Sequence, residues 1–314
     1  TNLLPVANFN YNFSRTKTLR VDYNTSTTQP TAKQLQPVKD ISDPLNVISG
    51  NPSLKQSYSH NASLQYFNAS PAQQKNFFVF LNYSAVQNAI VYNDSINSSG
   101  ARSSKPVNAN GVYNLMANVD RGFRIKKLNT RVDVGLNANY NRSVNFINDD
   151  RNKTSILSLM PRINFSYNYK EIFDISAGAR VSYNNARYSL QPSLNNNYWR
   201  QVYEMEATVN LPAGFSLNSD ISYTAYTGRS NGFNSRIALW NASVSKQVFK
   251  SKKGEIKFSA FDLLNQNRGV DRNGNTTFVE DIQYKTLQRY FTLGFTYSLQ
   301  KAGNGGPRAV IRTM

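Results

Sequence analysis

The sequence predicts an all-β, antiparallel, up-and-down β-barrel that crosses a membrane with its strands. Three observations carry that expectation. Apolar and polar residues alternate with a period of two from one end of the chain to the other, aromatic residues gather at strand ends, and the connections between strands alternate between short and long. Alternation puts successive side chains on opposite faces of a strand, so each strand has one apolar and one polar face.

The first strand lies near 5–13, where Ala7, Phe9, Tyr11 and Phe13 alternate with Asn8, Asn10 and Asn12. A second, near 17–26, sets Leu19, Val21 and Tyr23 against Arg20, Asp22 and Asn24. Three more follow near 57–68, 75–93 and 110–124. Over 127–146, Val132, Val134, Leu136, Ala138 and Tyr140 face one way, with Arg131, Asp133, Gly135, Asn137 and Asn139 facing the other. Ile163, Phe165, Tyr167 and Tyr169 continue the pattern within 152–169, and Phe173, Ile175, Ala177, Ala179, Val181 and Tyr183 within 171–189. Strands near 197–211, 214–227, 236–249 and 254–267 precede a last one near 285–300, in which Phe291, Leu293, Phe295, Tyr297 and Leu299 oppose Tyr290, Thr292, Gly294, Thr296 and Ser298.

That is about 13 strands. A soluble sandwich also alternates, so the discriminating signals are the aromatic strand ends (Tyr167 and Tyr169, Tyr223 and Tyr226), the mixture of Arg, Asp and Asn on the polar faces, and the connections. Links such as 14–16, 69–74, 125–126, 170, 212–213 and 250–253 are short, whereas 27–56, 94–109 and 268–284 are long. Short turns on one side and long loops on the other give the layout of outer-membrane barrels, with the short side periplasmic. An odd strand count does not close an antiparallel wall, so these strands are expected to be part of a larger barrel. The start, Thr1-Asn2-Leu3-Leu4-Pro5, has no basic and apolar leader pattern, and an upstream segment is expected for the same reason. Residues 1–300 are expected to form the partial barrel and 301–314 a C-terminal periplasmic tail.

Composition excludes several chemistries. There is no Cys and a single His, His60, which removes thiolate sites, Ser-His-Asp triads and multi-histidine metal centres. No enzyme, cofactor or metal site is expected. Asp271-Arg272-Asn273-Gly274-Asn275 alternates oxygen ligands, but its glycine is misplaced for an EF-hand and the twelfth position is Ile282, so it reads as an extracellular turn. Glu204 and Glu206 share a strand face and read as lining groups, not a catalytic carboxylate pair. The sequons at Asn12 and Asn61 fall inside strands. A net charge of +18 invites a nucleic-acid reading, but the cations are scattered through turns and polar faces without a recognition motif. Candidate lumen-lining groups are Arg131, Asp133, Arg162, Asp174, Arg180, Glu204 and Glu206.

Three segments carry a family resemblance. Gln29 to Pro37, Asp43-Pro44-Leu45-Asn46 and Gly50-Asn51-Pro52-Ser53-Leu54-Lys55, running on to His60-Asn61, resemble the loop and strand of TonB-dependent receptor barrels, especially the Bacteroidetes outer-membrane barrel family. Gln56-Ser57 stands where that family has Pro-Glu. Phe258 to Asn267, with Asp262-Leu263-Leu264-Asn265-Gln266-Asn267, is similar to its penultimate strand and exit, and Arg289 to Tyr297 to its last strand.

The resemblance implies a wall of about 22 strands, nutrient uptake across the bacterial outer membrane, and an energy-coupling protein engaged through an N-terminal region outside this sequence. A structural or interaction barrel serving a surface lipoprotein, a secretion system or an assembly complex is the alternative. Outer-membrane lipid and lipopolysaccharide are the expected surroundings. Thr292, Gly294, Tyr297 and Leu299 resemble the C-terminal signal read by the insertion machinery, whose logic is edge pairing by an unpaired terminal strand.

Overall fold

The computed structural model describes residues 2–170, 172–228, 234–250, 252–274 and 279–299. Nineteen strands are present among them: β1 (Val6–Ser14), β2 (Lys17–Thr28), β3 (Lys39–Asp40), β4 (Asn46–Ser49), β5 (Ser57–Ser70), β6 (Lys75–Gln87), β7 (Ala89–Ile96), β8 (Arg102–Ala109), β9 (Val112–Ile125), β10 (Thr130–Ile147), β11 (Asp150–Tyr169), β12 (Phe173–Tyr188), β13 (Asn196–Leu211), β14 (Phe215–Thr227), β15 (Arg236–Val248), β16 (Gly254–Phe261), β17 (Gly269–Gly274), β18 (Val279–Tyr284) and β19 (Tyr290–Tyr297). One short helix, α1 (Ala32–Leu35), is capped by Thr31, whose hydroxyl accepts from the Gln34 amide while the Gln34 side chain accepts from the Thr31 amide.

Seventeen of the strands share one sheet, and β17 pairs with β18 alone. The wall is an antiparallel meander that runs β1, β2, β5, β6, β9, β10, β11, β12, β13, β14, β15, β16 and β19, each strand hydrogen-bonded to the next. Among the described residues β1 pairs only with β2 and β19 only with β16, so the sheet has two open edges. The sheet exceeds the expected count of about 13 because β3, β4 and β8 lie in connections whose sequence shows no sustained alternation, and because one expected strand divides into β6 and β7.

The single strand expected over 75–93 is broken at Asn88, whose left-handed φ of 50° ends β6 and starts β7. Gly111, with φ 89°, bends the return strand between β8 and β9. Beyond these two bends β7 and β8 pair with each other as a hairpin. Although β9 separates β6 from β10 in the wall, it is β7 that pairs parallel with the end of β10, while β8 pairs parallel with β4. The long connections on this side are therefore a folded layer, not a set of free loops. Two expected strands are also shorter than their alternation. β16 stops at Phe261, where Asp262 accepts from the Gln266 and Asn267 amides at 2.9 and 3.1 Å and folds the following residues into a turn. β19 spans 290–297, which leaves Leu299 beyond its end.

At the opposite side the turns are tight. Residues 71–73 and 126–128 each make one 3₁₀ turn closed by a left-handed residue, Gln74 and Asn129. This is the geometry of short hairpins built on a turn plus one left-handed residue.

Burial follows the two faces. Leu136, Phe165, Met205, Ile221, Trp240 and Phe258 alternate into one face and stay exposed, Met205 at 49% and Ile221 at 45%. The few buried apolar side chains, such as Val144, Tyr188 and Val202, do not form a central core. No helix among the described residues is long and apolar enough to cross a membrane.

The segment 301–314 and Asn275 lie outside the described residues. Asp271 to Gly274, expected to be a turn, belong to β17.

Candidate functional site on the polar face

All seven residues expected to line an interior fall on the face opposite the apolar one. The register fixes this: Arg131 stands opposite Ser166, Asp133 opposite Asn164, Arg162 opposite Arg180, Glu204 opposite Gly178, Glu206 opposite Ser176, and Asp174 opposite Asn168. They do not converge on one point but form a band of local networks.

Arg131 holds Asp133 with two bonds, Nε to Oδ2 at 2.8 Å and an Nη to Oδ1 at 2.6 Å, and reaches Asn76 Oδ1 two strands away at 2.9 Å. Beside it, Arg124 donates to Gln74 Oε1 at 2.7 Å and to Asn129 Oδ1. Arg162 pairs with Asp120 on β9, and Arg180 lies 3.6 Å from Glu204 on β13. Arg162 and Arg180 are cross-strand neighbours, an unfavourable like-charge pair that their outer carboxylates compensate. Asp174 accepts from the Asn168 amide, and it shares a cleft of about 370 Å³ with Arg124, Arg131 and Glu206. A second cleft of about 550 Å³ holds Glu204, Glu206 and Asp220, with Asn241 donating to Asp220 at 2.6 Å and Asn218 to Glu206 at 3.4 Å.

Reading the sequence alone missed Asp120, Asn76, Arg124 and Asp220, which complete these networks from strands whose alternation is less regular. It also missed the role of three glycines. A Cβ on Gly135 would stand 2.2 Å from Asp120 Oδ1 and 2.8 Å from Arg162 Nε, so the β9–β11 ion pair passes over β10 only because Gly135 has no side chain. Gly122 sits in the same way under the Arg131, Asp133 and Asn76 cluster, and Gly178 beside Asn164 Oδ1. Polar-face parity of these glycines was the available signal. We expect Gly135→Ala to separate Asp120 from Arg162 at a cost of up to about 1 kcal/mol, since both partners are partly solvated. In a double-mutant cycle with Asp120→Asn the second change should then cost nothing more, and additive losses would show that Gly135 acts otherwise.

The apolar face carries aromatic residues at both ends. Tyr11 and Phe13, Tyr66 and Phe77, and Tyr167 and Phe173 are ring pairs at the short-turn end. Tyr83, Tyr113 and Tyr140, and the Tyr183–Trp199 pair at 4.5 Å, stand toward the long connections. His60 belongs to this second group, its Nδ1 2.8 Å from the Tyr23 hydroxyl. Tyr226, expected with Tyr223 at a strand end, turns instead to the polar face, where it meets the Arg200 guanidinium at 5.7 Å. That follows from strand parity, because residues three apart lie on opposite faces.

In the last strand, Thr292 and Gly294 are on the polar face opposite Ser259 and Lys257, and Tyr297 is on the apolar face opposite Gly254. Tyr297 and Phe295 both pack edge-on against Phe249 at 6.1 and 6.4 Å. Leu299 is 87% exposed.

The described residues hold no group of three His, Cys, Asp or Glu side chains that could ligate a metal ion. The arrangement can offer a wetted, charged surface on one side and an apolar, aromatic-edged one on the other. A family model described as outer membrane protein beta-barrel family matches residues 1–160 and again residues 146–297. No curated protein matches the chain.

Proposed function

The chain belongs to the outer membrane protein β-barrel family, and on that premise we propose that it forms part of the wall of a transporter that takes up a nutrient across the bacterial outer membrane, driven by a TonB-type energy-coupling protein. The observation that carries this reading is the division of one continuous sheet into an exposed apolar face and a face lined by arginine–carboxylate networks. A sheet with one face in hydrocarbon and one around water has this division. In the proposal the short turns are periplasmic, the folded layer of β3, β4, β7 and β8 is extracellular, and the chain leaves β19 on the periplasmic side. Further strands of a wall of about 22 complete the pairing at β1 and β19, since an open edge in lipid leaves main-chain groups unsatisfied at several kcal/mol each.

The two tryptophans test the membrane half of the reading. Trp199 and Trp240 both occupy the apolar face. In vesicles whose acyl chains carry bromine, fluorescence of both should be quenched, Trp240 from mid-strand most strongly. Emission indifferent to bromination would rule out a lipid-facing apolar surface. Transport is tested in cells. Deleting the gene should lower growth and uptake for one limiting nutrient, and removing the energy-coupling protein should reproduce that defect. Normal uptake together with stable recovery of protein partners would move the assignment to an interaction barrel.

A further inference from the structure

We propose that the apolar face carries a binding site for a membrane amphiphile with more than one phosphate on its headgroup, centred on Ser155 at the end of the wall nearest the long connections. It rests on the lipid-facing reading of that face and adds a defined ligand class to it.

The register places Arg142, Ser155 and Arg187 side by side on β10, β11 and β12, with Lys153 two residues along β11 on the same face. At a spacing of roughly 5 Å between strands, Arg142 and Arg187 flank Ser155 about 10 Å apart. Among the described residues none of these three cations has a carboxylate within ion-pair distance. On the polar face Arg20, Arg131, Arg162 and Arg180 each have an acidic partner, while Arg124 is held by the Gln74 and Asn129 side-chain oxygens and Arg200 by the Tyr226 ring. Arg142 lies 5.7 Å from the Tyr113 ring, and its Nε is buried with no hydrogen-bond partner.

A guanidinium on a lipid-facing surface with an unused donor is costly unless an anion completes it. One phosphodiester brings a single charge, whereas three uncompensated cations spread over about 10 Å match two separated phosphates. The apolar part of the ligand also has a place. Next to Tyr113 on the same face is a groove of about 410 Å³ with Ala62 and Ala85 among its lining and Tyr23 and Tyr83 beside them. His60 presents to that groove an Nε2 that is buried and unpartnered. The register sets Arg142, Ser155 and Arg187 in the same row across the sheet as the groove residues Tyr113, Ala85 and His60, and cations beside an aromatic-walled groove at a membrane boundary fit an amphiphile better than a free anion.

The test uses the full-length protein purified in detergent and bis-phosphorylated lipid A as the probe, with retention read by native mass spectrometry. Retention should fall at least tenfold in the Arg142→Gln, Lys153→Gln, Arg187→Gln triple variant. Ser155→Glu, which adds one negative charge at the centre, should do the same should the triple variant fail to fold. Lys126→Gln with Lys127→Gln, at the opposite rim, should leave retention unchanged. Equal retention by the triple variant and the parent would overturn the proposal. So would equal or tighter binding of phosphatidylglycerol, or displacement of the lipid by millimolar inorganic phosphate. Quenching by brominated lipid separates the two levels: if it persists while retention is indifferent to the variants, only this site falls, and if it is absent the lipid-facing reading falls with it.

Discussion

Replacing Ile221 by Arg is expected to destabilise the protein by about 2–4 kcal/mol in a bilayer, whereas Ser222→Arg, one residue on, should change stability by less than about 1 kcal/mol. Ile221 is the central residue of β14, 45% exposed on the apolar face between Met205 and Trp240. In a soluble protein a charge at so exposed a position costs little. In hydrocarbon it forfeits hydration, and the middle of a strand is too far from either interface for the side chain to reach water. Ser222 points to the other face, beside Glu204 and near Asp220, where a cation meets carboxylates and solvent. The difference between neighbours isolates facing from position along the strand. Folding titrations in vesicles would read both values. Comparable costs for the two variants would mean that the apolar face is not in lipid.

How far the sequence was legible divides along the same line. Wherever one face meets apolar surroundings and the other water, parity is imposed on the sequence, so β1, β2 and β10 to β12 could be read residue by residue, and with them the shared face of Arg131, Asp133, Arg162, Asp174, Arg180, Glu204 and Glu206. Parity says nothing of partners. The ion pair of Arg162 is with Asp120, two strands away, and it depends on Gly135 between them, a relation set by register and not by local pattern. The short strands of the long connections were illegible for a different reason. β4 is held by its short pairings to β3 and β8, and β8 by its antiparallel pairing to β7, contacts within one layer that need no alternating face. Asp43 shows the local logic there: the Asn46 amide and the Leu45 main-chain N–H hold its carboxyl below the ordinary range. The turn is therefore favoured at neutral pH and loses that support as pH falls through the lowered pKa.

Gly50→Ala should release the folded layer of the first long connection while leaving the wall intact. The segment around Gly50 resembles a family loop, and its packing explains which residues the loop needs. A Cβ on Gly50 would stand 2.0 Å from the Gln36 carbonyl oxygen, 2.7 Å from its carbon and 2.9 Å from the Gln34 oxygen. All three are backbone atoms that cannot swing aside, unlike the side-chain ends above Gly135. The next residue locks the contact, with the Asn51 amide donating to Gln34 O at 2.6 Å and its side chain to Pro106 O at 2.9 Å. Lys55 N then donates to Asn108 Oδ1 at 2.7 Å, and Asn108 returns a bond to Lys55 O. One methyl group thus has to separate the α1 segment from β4, and with it the link between β4 and β8. Overpacking of this kind costs about 1–3 kcal/mol. That is enough to populate an open loop, since layers of this sort open well before a wall unfolds. Limited proteolysis should cut the variant between residues 37 and 55, while its heat-resistant mobility on gels stays that of the parent. Ser53→Ala, which keeps the backbone bond from Ser53 N to Asn51 Oδ1, should remain uncut. A Gly50→Ala protein as resistant as the parent would show that the close approach of Gly50 to the α1 segment does not hold this layer down.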